Sequence, residues 1–204
     1  MALKMTFANL LDLFATLAPF LLGFFLVMAS VFAQNIKGIV YIGGVLIASV
    51  LNMPIMALIG SPIDPDAPAT CQVFDTTNML VSGYNSPSPS TLFVSFTAAY
   101  LILPMAFNGQ MNYPLLATLL GLLVLDMITK VMSKCTSPAG AVMGAMVGFV
   151  FAAAWYATFE AAGLSSLMYF NEINSNRVLC KKPSTSTFKC AVYKNGELVS
   201  TSQF

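Results

Sequence analysis

Five long apolar stretches dominate this chain, and a helix needs about 20 residues of this kind to cross a bilayer. They run from Leu11 to Ala33, Gly38 to Gly60, Thr91 to Phe107, Tyr113 to Met132 and Ala139 to Gly163. The third is short and has room to begin earlier, in the Ser/Pro-rich segment before it. The connections Gln34–Lys37 and Asn108–Gln110 are tight turns. Charged residues make up only 8% of the 204-residue chain, against roughly 25% in soluble domains. So much apolar surface cannot be hidden from water at this size, and the bilayer must be the solvent. The fold class that follows is an all-α polytopic membrane helical bundle of about five transmembrane helices. The first stretch has no convincing cleavage site and reads as a retained span.

Two regions are not membrane. One is the polar loop 61–90, rich in Pro, Ser and Thr, with Asp64, Asp66 and Asp75 and no Lys or Arg. The other is the polar C-terminal tail, residues 171–204, which follows the bundle of residues 1–170. In the tail, Asn195-Gly196 stands between two strand-like runs, a strong hairpin signal. A small β-rich tail is therefore expected, and a sheet of this size needs a partner surface or a disulfide to be stable. Five spans put the tail and the loop on opposite faces. Lys37 and the tail cations Arg177, Lys181, Lys182, Lys189 and Lys194 then share one face, and Lys4, Lys130 and Lys134 the other. The positive-inside rule makes the tail cytoplasmic and the acidic loop exoplasmic.

The chain holds no histidine and no Cys-x-x-Cys pair, so no cofactor or metal site is implied. A net charge of +1 gives no case for nucleic acid. The partners expected are membrane lipid and other proteins.

The segment Pro87-Ser88-Pro89-Ser90 opens the third span, and Thr129-Lys130, Thr136 and Gly140 follow later. This layout resembles the type 2 phosphatidic acid phosphatase family, with its motifs K-x6-R-P, P-S-G-H and S-R-x5-H-x3-D, over residues 45–160. Carried over by position, the resemblance puts Ser90 where that family has its proton-donating histidine. Thr129 and Lys130 take the Ser-Arg positions, Thr136 that of the nucleophilic histidine, and Gly140 that of the orienting aspartate. Ser61-Pro62 replaces Arg-Pro, and Pro54 the lysine. The family has six spans, one more than are read here. Its chemistry needs one imidazole to attack phosphorus and another to protonate the leaving oxygen. The resemblance thus implies a phosphatase scaffold without the enzyme's chemistry. Small phosphatase-like membrane proteins without catalytic residues look similar to proteins of large DNA viruses, which implies a viral internal membrane and a minor capsid role.

Other residues carry their own alternatives. Gly140, Gly144 and Gly148 recur every four residues, a spacing that lets two helices approach closely. Packing within the chain's own bundle is preferred over a dimer interface. Asp126 and Glu160 lie in or near spans and are functional candidates by default. Asp126 also stands four residues before Lys130, an ordinary helical ion pair. Cys71 can pair with Cys135, and Cys180 with Cys190, but only one face can be oxidising. In the tail, Phe188, Val192 and Tyr193 are candidate partner-docking residues.

The expected function is therefore a non-catalytic integral membrane protein with a structural or assembly role. It would anchor a partner or larger complex to the bilayer. The alternatives are a lipid phosphatase or lipid-binding protein of the same fold, and a small transporter or channel subunit using Asp126 and Glu160.

Overall fold

The computed structural model describes residues 7–65, 67, 71, 84–109, 111–170, 189–194 and 197–203. Five long helices follow one another: α1 Phe7–Phe32, α2 Lys37–Ile59, α3 Pro89–Phe107, α4 Tyr113–Met132 and α5 Pro138–Ala161. All five contain segments long and apolar enough to cross a membrane. A short 3-10 helix, Ser165–Leu167, follows α5.

Helix starts are written in the sequence. Ser88, Asn112 and Ser137 are N-caps, and their side chains accept hydrogen bonds from the amides of Thr91, Leu115 and Gly140. Each cap satisfies one of the amides that a helix start leaves without a partner. Pro89, Pro114 and Pro138 stand in the first turns, where the missing N–H costs nothing. The ends use left-handed residues. Gly60, Gly109 and Gly163 have φ near +60°, which glycine adopts without steric cost. Two ends use a residue with a side chain instead, Gln34 at φ 51° and Lys134 at φ 56°.

Packing follows the inverted logic of a bundle in lipid. Helix α3 is rich in Ser, Thr and Ala and is buried on nearly all sides. The other helices turn large apolar side chains outward, among them Phe24, Phe25, Ile39, Leu58 and Val150. Small and polar residues thus meet inside, where backbones can approach closely. The closest approach is between α3 and α5. A Cβ on Gly148 would stand 2.4 Å from the Leu92 carbonyl oxygen, and one on Gly144 would stand 2.7 Å from that of Ser88. The glycine stripe is therefore turned onto α3 of the same chain. Around it lies a core of Leu92, Phe96, Tyr100, Tyr41, Val45 and Ala152.

The chain divides into two compact units, Met1–Glu172 and Ile173–Phe204. Within the second, Lys189–Lys194 (β1) and Glu197–Gln203 (β2) run antiparallel, with a register shift at Val192/Tyr193. Cys180, Phe188 and the Asn195-Gly196 turn lie outside the described residues.

Candidate functional site

The most polar part of the bundle interior lies at one end, beneath the α2–α3 loop and the α4–α5 turn. Its centre is Asp126, on α4 and 2% exposed. Ser90 Oγ donates to Asp126 Oδ1 at 2.6 Å, and Thr91 Oγ1 donates to Oδ2 at 2.9 Å. Both donors come from the first turn of α3, which the Ser88 cap and Pro89 start at this depth. Lys130 lies one turn further along α4, 3% exposed, and its ammonium reaches Thr16 Oγ1 of α1 at 3.4 Å. The cluster thus ties α1, α3 and α4 through groups that each need a partner once out of water.

Above this cluster a second set joins the loop to the α4–α5 turn. Thr136 Oγ1 donates to the Asn85 carbonyl at 2.8 Å. Ser61 Oγ donates to Asn85 Oδ1 at 3.0 Å, and the Asn85 amide donates to the Ser61 carbonyl at 3.0 Å. The Ser88 amide donates to the Gly140 carbonyl at 3.1 Å. A disulfide joins Cys71 of the loop to Cys135 of the turn. Three hydroxyl oxygens, of Ser86, Thr136 and Ser137, crowd Gly140 so closely that a Cβ there would meet each within 3.1 Å.

The structure therefore brings Ser61, Ser90, Thr129, Lys130, Thr136 and Gly140 to one end of the bundle. Each hydroxyl among them is used internally, Thr129 Oγ1 bonding the carbonyl of Leu125 at 2.8 Å. Glu160 is apart from them, exposed near the end of α5. The side chains of Cys190, Val192 and Tyr193 lie outside what is described. Among the described residues no three His, Cys, Asp or Glu side chains converge as metal ligands.

Lys130 acts on Asp126 as a neighbouring charge, as the i, i+4 spacing suggests. The carboxylate's hydrogen bonds go across the helix interface to Ser90 and Thr91. Sequence reasoning also missed Thr16 and Asn85, and it missed the contact by which the Asn52 side-chain amide donates to the Pro87 carbonyl at 3.3 Å. One signal was available: the run Ser86–Thr91 is polar yet leads directly into a span. A small apolar cavity of about 10 Å³ borders Asp126, lined by Ala15, Ala18, Pro19, Leu22 and Val94 among others. Such a space is at the lower limit for a single water and offers it too few polar partners.

No family model, curated protein or solved structure matches this chain.

Proposed function

We propose that this chain is a non-catalytic integral membrane protein with a structural or assembly role, anchoring a partner or larger complex to the bilayer. One observation carries the reading. The hydroxyls of Ser90, Thr129 and Thr136 are buried, and each donates within the bundle. A nucleophilic hydroxyl needs a reachable position and a base that can pass its proton on. Here Ser90 fastens α3 to α4, Thr136 fastens the α4–α5 turn to the α2–α3 loop, and Thr129 bonds carbonyls of its own helix instead. The resemblance to phosphatidic acid phosphatases then describes a scaffold, and a viral internal membrane or minor capsid is a setting that suits it.

The loop face is exoplasmic in this proposal. Disulfides persist in oxidising compartments, which fits the Cys71–Cys135 bond. The split of lysines and arginines points the same way. The tail is then cytoplasmic and forms a small β-rich module. It docks through Phe188, Val192 and Tyr193, because a two-stranded sheet is marginal without a partner surface.

The test is crosslinking mass spectrometry of the full chain in its native membrane, beside a variant lacking residues 177–204. The expected result is a hetero-complex lost with the tail while membrane insertion persists. A chain found alone in lipid, or one that hydrolyses phosphatidic acid until Thr136→Ala abolishes it, overturns the reading. A second reading, a transporter or channel subunit, is favoured by the charged groups of Asp126 and Lys130 buried inside a span. Ion flux in proteoliposomes, absent in Asp126→Asn, would select it.

A further inference from the structure

We propose that the Cys71–Cys135 disulfide is an exchangeable latch that keeps the Asp126–Lys130 cluster dry, and that its reduction opens this end of the bundle to water. Two opposing tendencies meet here. Asp126, Lys130, Ser90, Thr129 and Thr136 are all buried, and each would be better hydrated if the α4–α5 turn lifted. Ser86 Oγ and Asn52 Oδ1 are buried at the same end with no hydrogen-bond partner among the described residues, so they too gain from water. Against this stand ties that include, among the described residues, the Thr136–Asn85 and Ser88–Gly140 hydrogen bonds and the disulfide. The turn also holds Lys134 in the left-handed region, a conformation a side chain adopts at a cost. The covalent tie is the one that solution chemistry can remove.

Both cysteines are partly exposed, so a thiolate arriving from water can reach them. The reductant is a dithiol. Its first thiolate attacks one sulfur of the pair, forming a mixed disulfide and displacing the other cysteine as a thiolate, which takes up a proton. Its second thiol then closes the reductant's own disulfide and releases the remaining cysteine as a thiol. Two electrons and two protons pass from the dithiol to the chain. The chain would thereby register a move from an oxidising to a reducing compartment as a local opening. This inference stands independently of any partner the chain anchors.

Three lysines make the test self-controlled. Lys134 is exposed, Lys130 is buried beneath the turn, and Lys37 is buried at the start of α2. The full chain in phosphatidylcholine nanodiscs is treated with a water-soluble amine-acylating reagent, with and without dithiothreitol. Labelling of Lys130 and Lys37 is read against Lys134 by mass spectrometry. The expected result is a rise of about tenfold at Lys130 on reduction, with Lys37 unchanged, as a local opening requires. Unchanged Lys130 labelling overturns the latch. A parallel rise at Lys37 also overturns it, because the disulfide is then a staple for the whole bundle. The double variant Cys71→Ser/Cys135→Ser should label at Lys130 with or without reductant, and protection of Lys130 in it counts against the proposal. If that variant fails to accumulate, the reduced wild-type chain decides alone.

Discussion

Ser90 and Asp126 meet across the α3–α4 interface through a hydrogen bond of 2.6 Å, with both residues buried. The contact makes two substitutions unequal. Ser90→Ala removes one donor and leaves Thr91 on the carboxylate, so its cost should be about 1 kcal/mol, typical of an interhelical hydrogen bond in a membrane. Asp126→Ala strands the Ser90 hydroxyl and removes the carboxyl beside buried Lys130, while Thr91 keeps the Ser88 hydroxyl at 3.1 Å; its cost should be about 3 kcal/mol, as when one partner of a buried charged network is removed. Reversible unfolding in mixed detergent micelles, followed by far-UV circular dichroism, measures both. Equal costs would mean that the carboxylate has little part in holding the helices.

The contrast between spans and site shows what a sequence of this kind makes legible. Span length and apolarity are local, so the fourth stretch, Tyr113 to Met132, coincides with α4 to the residue. The third helix starts at Pro89, where cap and proline chemistry put it. Partners across helices are another matter. In lipid a helix is apolar on most sides, so periodicity does not say which face of α4 meets α3. Asp126 reads from sequence as the partner of Lys130, its helical neighbour, because i, i+4 spacing is the one relation visible in one dimension. Its true donors stand thirty-five and thirty-six positions away. The glycine stripe was legible as a packing surface, whereas its partner, the backbone of α3, was not.

That stripe gives a second prediction. An alanine methyl at Gly148 would be driven against the Leu92 carbonyl oxygen and the Phe96 amide at 2.4 and 3.0 Å. Backbone atoms inside a helix cannot swing aside, so Gly148→Ala should cost about 1–3 kcal/mol through overpacking. Gly121, inside α4, has no atom within 4 Å of its added Cβ. Gly121→Ala should therefore stabilise the chain by about 0.5–1 kcal/mol, the helix-interior difference between the two residues. Thermal unfolding of the two variants in one detergent gives the comparison. A Gly148→Ala chain as stable as wild type would show that α3 and α5 are packed less closely than described.

At the opposite end of the bundle, Tyr169 donates its hydroxyl to the Leu26 carbonyl. Burial pushes its phenol above the ordinary value of 10.0, and the Ser30 hydroxyl offsets part of that. A phenol raised in the folded state favours folding fully below its unfolded value. That contribution fades as pH rises from 10 through the folded value, because the unfolded chain gives up the proton first. Wild-type chain should thus lose stability above pH 10 more steeply than Tyr169→Phe, while being the more stable of the two at neutral pH. Midpoints of unfolding between pH 8 and 11 test the slope, and parallel profiles would remove Tyr169 from the account.

The last prediction concerns the end of α4, where Lys134 occupies a place that glycine usually fills. The Lys134 amide donates to the Val131 carbonyl at 3.1 Å and the Cys135 amide to that of Lys130 at 2.9 Å, the paired bonds of a left-handed helix stop. The end of α5 repeats the pattern. Gly163 donates to Glu160 at 3.0 Å and Leu164 to Phe159 at 2.9 Å, with Gly163 at φ 68°. The side chain at Lys134 costs about 1–2 kcal/mol in that conformation. Replacing it with glycine frees the unfolded chain as well, which takes back about 0.4–1 kcal/mol. Lys134→Gly should therefore stabilise the protein by about 0.5–1 kcal/mol. Gly163→Ala, which brings the same strain to the α5 stop, should destabilise it by a similar amount. The two variants form a matched pair of opposite sign, readable by thermal unfolding of the oxidised protein in detergent. A loss of stability in Lys134→Gly would mean that the lysine side chain makes a contact at the turn worth more than the backbone strain it imposes.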